Sequence, residues 1–208
     1  MIKNIILDFG GVIYQIDHFT QMEHFKKLGV NNFEKLYSQA LQNPIFKQLE
    51  TGDVSNENFR KQLIDITGLN LTIQKADAAW NSILIGYFDE AVKLLEKIRS
   101  NYNLYLLSNT NQIHYQVYIS QFENKYGSDF NKIFKKCWWS FKIGMRKPNE
   151  DIYKFVLSDA ILNGSETLFV DDTAVNTDAA TKAGMKTYWL KPGEKIGDLF
   201  NAGYRLRL

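Results

Sequence analysis

The sequence predicts an α/β protein with a Rossmann-like core: a central five-stranded parallel sheet flanked by helices, and a small helical cap inserted after the first strand. Three observations carry this. Short aliphatic runs such as Ile5-Ile6-Leu7, Leu104-Tyr105-Leu106-Leu107 and Leu168-Phe169-Val170 alternate with amphipathic stretches, and strand, crossover helix, strand repeated this way gives a parallel sheet with helices on both faces. Several runs end on unusual polar residues, as the ligand-binding carboxyl edge of such a sheet does. Residues 16–86 instead carry mixed-polar sequence with apolar residues at helical spacing. The expected division is therefore 1–15 and 87–208 as catalytic core and 16–86 as cap.

The first strand, Ile5-Ile6-Leu7, delivers Asp8 to the sheet edge. A carboxylate in so apolar a run is costly unless it meets a metal ion, a cation or converging N–H groups, although an Asp at a strand end can also cap the next turn. Gly10-Gly11 permits a tight backbone excursion, Val12-Ile13-Tyr14 resumes apolar, and Asp17-His18-Phe19 begins the cap. There Phe25, Leu28, Phe33, Leu36, Tyr37 and Leu41 fall three and four apart, as do Phe59, Leu63 and Ile66, with a helix start at Ser55-Asn56-Glu57-Asn58 and a stop at Gly68.

Helices are expected over Asp89 to Arg99, Ile113 to Tyr126, Asn149 to Leu162 and an Ala-rich stretch ending at Gly184. The remaining strands are expected at 103–107, 134–139, 167–170 and 186–190, the second of these interrupted by Lys135 and Lys136. Pro148 suits a helix entrance.

Composition narrows the function. The chain has 208 residues, 45% of them hydrophobic, and a formal net charge of +2 from 25 basic and 23 acidic side chains. That leaves no basic stripe of the kind nucleic acids require. A lone Cys137 excludes an intrachain disulfide and a metal-thiolate cluster, which suits a reducing cytoplasm. No apolar run reaches the length of a membrane span. Monomer and homodimer remain open.

Asp8, Ser108-Asn109, Arg146-Lys147 and Asp171-Asp172 should converge on one sheet edge. Clustered carboxylates with a Lys and a hydroxyl form the inventory for phosphoryl transfer to an Asp. The carboxylates hold Mg²⁺ through hard oxygen ligands, the Lys and backbone N–H groups neutralise phosphoryl oxygens, and one Asp is the nucleophile.

The stretches Leu106-Leu107-Ser108-Asn109-Thr110-Asn111, Gly144-Met145-Arg146-Lys147-Pro148 and Phe169-Val170-Asp171-Asp172, with Asn176 downstream, match one family in order and spacing. The sequence resembles the haloacid dehalogenase-like hydrolase superfamily over nearly its whole length. Within it, the chain resembles small bacterial sugar-phosphate phosphatases of the α-glucose-1-phosphate phosphatase kind. The resemblance implies that Asp8 attacks phosphorus to form an aspartyl-phosphate, that Ser108 donates its hydroxyl and Asn109 its N–H to the phosphoryl group, and that Lys147 bridges Asp8 and the phosphate. It implies Mg²⁺ held by Asp8, the Gly10 carbonyl and Asp172, with Asp171 acting mostly through water. Arg146 joins this set as a substrate-binding candidate, and Phe46, Glu50 and Asp53 fall where the resemblance puts a substrate-facing turn. Cap packing for Phe46 and surface positions for the two acids are equally consistent with the spacing.

One position departs from the pattern. Most phosphatases of the family have a second Asp two residues after the nucleophile, where this chain has Gly10. A leaving group of low basicity, such as the anomeric oxygen of a sugar 1-phosphate, would tolerate the missing acid. Asp17 or His18 could supply a proton instead. Two other readings remain. A 2-haloacid dehalogenase also lacks the second Asp, but it uses no metal and has no use for the Asp171-Asp172 pair. A phospho-ligand-binding module with lost turnover would gain nothing from Asp8. Tyr14, His114 and Trp138-Trp139 could face site or core. A small phosphorylated metabolite fits a pocket under a closed cap better than a phosphoprotein or nucleic acid.

Overall fold

The computed structural model describes residues 1–30 and 44–207. Its centre is a five-stranded parallel sheet of β1 (Asn4–Leu7), β4 (Asn103–Ser108), β5 (Lys136–Trp139), β6 (Thr167–Asp171) and β7 (Lys186–Trp189), in the order β5-β4-β1-β6-β7. β1 lies in the middle, with Ile6 opposite Tyr105 on one side and Phe169 on the other. Alternating side chains feed two cores. Ile5, Leu7, Leu106, Leu168 and Val170 face one layer, while Ile6, Leu107 and Phe169 pack with Ile152, Tyr153 and Val156 on the other. Burial on both faces explains why the strands read as continuous apolar runs.

Helices α5 (Asp89–Ile98), α6 (Gln112–Tyr126), α7 (Ser140–Ile143), α8 (Glu150–Asp159) and α9 (Ala174–Lys182) surround the sheet. The five-stranded parallel core and the helical insertion after its first strand agree with expectation. Boundaries shift where local chemistry overrides apolar content. Phe134 closes a 3-10 turn begun under the Asp129 cap, so β5 starts at Lys136. α8 stops at Asp159, short of the expected Leu162.

The insertion holds α1 (His18–Lys27), α2 (Ile45–Thr51), α3 (Asn56–Thr67) and α4 (Ile73–Asn81). Ser55 caps α3 by accepting the Asn58 N–H, and Gly68 ends it in the left-handed conformation. Phe25, Ile45, Leu49, Phe59, Leu63 and Trp80 form a separate core that reaches Ile113 of α6. The expected periodicity over Phe33, Leu36, Tyr37 and Leu41 lies outside the described residues. One feature differs from the all-helical expectation for residues 16–86. β2 (Tyr14–Ile16) and β3 (Leu84–Tyr87) pair antiparallel as a two-stranded ribbon, Tyr14 opposite Tyr87, at the two crossings between core and insertion. The insertion is thus attached by a hydrogen-bonded ribbon.

Candidate active site

β1 ends at Leu7, and the Asp8 N–H still donates to the Val170 carbonyl at 2.9 Å, so the sheet ladder itself fixes the Asp8 backbone. Across the edge, Lys147 sends its ammonium to Asp8 Oδ1 at 2.7 Å and to Asp171 Oδ2 at 2.6 Å. Lys147 is 1% exposed and Asp171 fully buried. Asn109, at the end of β4, holds the lysine's backbone at two points. Its Nδ2 donates to the Lys147 carbonyl, and its Oδ1 accepts the Lys147 N–H, each at 2.9 Å. The ammonium meets Asp8 as expected, but its second partner here is Asp171, where the expectation had the phosphate; Asn109 fixes the lysine's backbone.

The two acids at the end of β6 differ. Asp171 also accepts from the Thr173 N–H at 2.8 Å and from Asn176 Nδ2 at 3.0 and 3.1 Å, so its oxygens are well occupied. Asp172 reaches solvent, and its side chain accepts from Thr173 Oγ1 at 3.2 Å. Gly11, at φ 70°, makes room for it: a Cβ there would lie 1.9 Å from Asp172 Oδ2. Asp8, Asp171 and Asp172 bring one ligand oxygen each to within 4.8 Å of one another.

Three carboxylates share one ammonium, and the electrostatics reflect it. Burial pushes the Asp8 carboxyl up to about 7, against the pull of Lys147 and with a further push from Asp171. Burial works to lower the Lys147 ammonium, but Asp8 and Asp171 outweigh it and hold it above its ordinary value. Partial burial, and then the charge of Asp171, raises the Asp172 carboxyl. An excess of negative charge with open carboxylate oxygens on Asp172 fits a hard divalent cation such as Mg²⁺.

Beside this cluster, between sheet edge and insertion, lies a cleft of about 320 Å³ lined by Gly10, Phe46, Glu50, Ser108, Asn109 and Arg146 among others. Every substrate-side residue expected from sequence therefore faces one space, Asp53 excepted. Asp53 is exposed and accepts the Thr51 hydroxyl. Phe46 does both things weighed for it, lining the cleft while stacking on Trp80 in the insertion's core. Glu50 is no isolated surface charge, since it receives Arg146 Nε at 2.7 Å. Two larger hollows suit a phosphate ester less. One, of about 370 Å³, is lined by Asp89, Glu90, Glu194 and Asp198, which repel anions. The other, of about 690 Å³, lies at the strands' amino ends beside Lys3 and Asn103.

Of the other candidates, His18 begins α1 and lines the cleft, while most of the rest have structural partners. Asp17 caps α1, accepting the Phe19 N–H and the Thr20 hydroxyl, and the Thr20 bond holds its carboxyl below the usual range, so it is a poor proton donor. Tyr14, Trp138 and Trp139 are buried in the core. His114 lines the cleft with its ring stacked on Trp80. Asn111 Oδ1 accepts the His114 N–H, so Asn111 Nδ2 donates to His114 Nδ1, leaving Nε2–H for the Trp80 carbonyl. The sequence does not reveal the two clamps, half-buried Asn109 on Lys147 and buried Asn176 on Asp171. Asn176 falls within a matched motif, but nothing in its spacing gives its partner.

A family model described as haloacid dehalogenase-like hydrolase matches residues 2–184. The chain is 37% identical over 192 residues to a D-ribitol-5-phosphate phosphatase of Bacteroides thetaiotaomicron, covering 90% of this chain and 91% of that protein. A HAD family enzyme from the same organism, solved in complex with magnesium and inorganic phosphate, superposes with a TM-score of 0.90 at 35% identity, covering 97% of this chain and 100% of that one. A predicted HAD-like family hydrolase from Porphyromonas gingivalis superposes at 0.82 and 33% identity over 93% of each chain.

Proposed function

The chain belongs to the haloacid dehalogenase-like hydrolases, and we propose that it is a cytoplasmic Mg²⁺-dependent phosphatase cleaving a sugar or polyol phosphate through an aspartyl-phosphate on Asp8. The observation that carries this reading is the buried Lys147 bridging Asp8 and Asp171 while Asp172 keeps open oxygens. Residues 1–15 and 87–208 form the catalytic core in this proposal, and 16–86 the cap.

Asp8, the Gly10 carbonyl and Asp172 would hold Mg²⁺, with Asp171 acting through water. When bound, the ion supplies the positive charge that lets the carboxylates accept a dianionic phosphate. Lys147 pulls the Asp8 carboxyl toward its ionised form and holds it in place for attack on phosphorus, and the bound ion's charge would complete the ionisation. Ser108, buried and carrying among the described residues only a long 3.4 Å contact to the Asn109 carbonyl, keeps its hydroxyl for a phosphoryl oxygen, beside the Asn109 N–H. Water then hydrolyses the acyl phosphate and frees Asp8. Asn109, Arg146, Phe46 and Glu50 face the rest of the substrate. A metal-free dehalogenase would set three carboxylates, Asp8, Asp171 and Asp172, against the single Lys147 ammonium, leaving their repulsion largely uncompensated.

Gly10 offers no proton, which favours a good leaving group such as an anomeric oxygen. The relative named for D-ribitol 5-phosphate supports a primary alcohol of a polyol. Turnover of glucose 1-phosphate beside D-ribitol 5-phosphate, with and without Mg²⁺, decides between them. Phosphatase activity lost in Asp8→Asn, with a base-labile phosphoenzyme in the unmodified chain, is the expected result. Mg²⁺-independent turnover, or activity surviving in Asp8→Asn, would overturn the mechanism.

A further inference from the structure

We propose that Arg146 is the specificity-determining residue for the leaving group: Glu50 pins its Nε, and its two Nη nitrogens take a pair of oxygen acceptors on the alcohol portion of the phosphate ester. This rests on the phosphatase reading and adds to it the means by which substrates are told apart.

Arg146 directly precedes Lys147, whose backbone Asn109 clamps at both N–H and carbonyl. The arginine therefore leaves a main chain fixed with respect to the nucleophile. Its side chain lines the cleft and is met from the insertion by Glu50, Nε to Oε2 at 2.7 Å. Glu50 is held in turn, because α2 ends where Gly52 presses on α7. A Cβ at Gly52 would lie 2.4 Å from the Phe141 carbonyl oxygen, so no side chain fits between the two elements.

Arginine and carboxylate commonly meet fork to fork, through two parallel N–H···O bonds. Here the carboxylate takes the Nε corner, and neither Nη nitrogen has a partner among the described residues. Four N–H groups of a planar fork are left in the cleft where the substrate's non-phosphate end must lie. The phosphoryl group already has Lys147, so a second cation is not needed there. Glu50 offsets the arginine's charge while leaving its donors available, which suits neutral vicinal hydroxyls as well as a carboxylate.

The test sets Arg146→Gln and Glu50→Gln beside the unmodified enzyme with Mg²⁺ on three esters: D-ribitol 5-phosphate for hydroxyls, 3-phosphoglycerate for a carboxylate, and phenyl phosphate, which offers neither. Arg146→Gln should cut the preference for the better acceptor-bearing ester over phenyl phosphate about tenfold or more, because a hydrogen bond to a charged donor is lost. Glu50→Gln should cut it less, through misorientation. Arg60→Gln, which breaks an ion pair within the insertion, should leave the ratio unchanged. Which ester loses more tells hydroxyl from carboxylate recognition. An equal loss on all three esters, or an unchanged ratio, overturns the proposal. Calorimetric binding of the same esters to Mg²⁺-loaded Asp8→Asn protein, with and without Arg146→Gln, reads the subsite without turnover. A missing phosphatase activity would sink the functional reading while this comparison still decides the role of Arg146.

Discussion

Among the described residues, Lys147 is the only cation in contact with two buried carboxylates, Asp8 and Asp171. Lys147→Met would leave Asp8 and Asp171 buried without a countercharge. The expected cost is about 3–5 kcal/mol of stability in the metal-free protein, with turnover reduced at least about 10²-fold. Chemical unfolding and steady-state rates check both. Gly11 tests the metal site from the other side. Gly11→Ala puts a methyl where Asp172 now lies, at a φ that L residues avoid, and should raise the half-saturating Mg²⁺ concentration about tenfold, read by titration of activity. The sequence shows Asp8, Lys147 and Asp172 readily, because charged groups at the ends of apolar strands are costly unless they serve each other. It does not show why Gly11 must be glycine. That depends on a carboxylate from a distant strand filling the space, and no local pattern records it.

Among elements, strands buried on both faces are legible because they need uninterrupted apolar runs, and β1, β4 and β6 stand close to where those runs fall. The β2–β3 ribbon is hidden for the opposite reason. It is three and four residues long and half exposed, with Gly86 in its second strand, and its hydrogen bonds join ends that lie far apart in sequence. Asp17 reads in sequence as a hinge or surface residue or as a proton donor, and the bonds to Phe19 and Thr20 make it a helix cap. A strained element end gives a direct stability test. Just beyond α8, Ile161 stands at φ 53° and is 93% exposed. A β-branched residue pays for that left-handed backbone without gaining burial, whereas Asn adopts it readily. Ile161→Asn should stabilise the protein by about 1 kcal/mol, seen as a higher urea midpoint with an unchanged slope.

For the whole molecule, two buried groups pull the stability of the metal-free protein in opposite directions with pH. Burial holds His114 down to about 4 from 6.5, so between those values the unfolded chain binds a proton that the folded chain refuses, and stability falls on acidification. Burial lifts Asp8 to about 7 from 3.8, so across that window the folded chain holds a proton that the unfolded chain has released, and stability rises on acidification. Between pH 7 and 5 each contribution amounts to about 2 kcal/mol, and Asp172, also raised, adds to the Asp8 side, so the metal-free protein should stay nearly flat or gain stability on acidification. Mg²⁺ breaks the balance, because a ligating carboxylate must be ionised. Below pH 7 its affinity should weaken by up to about tenfold per unit. At a concentration saturating at both pH values, only the His114 contribution remains. Urea unfolding of the Mg²⁺-loaded protein should then show a loss of about 2 kcal/mol from pH 7 to pH 5, and His114→Gln should abolish it. A loaded protein as flat as the metal-free one would mean that Asp8 stays protonated with Mg²⁺ present, and that it does not ligate the ion.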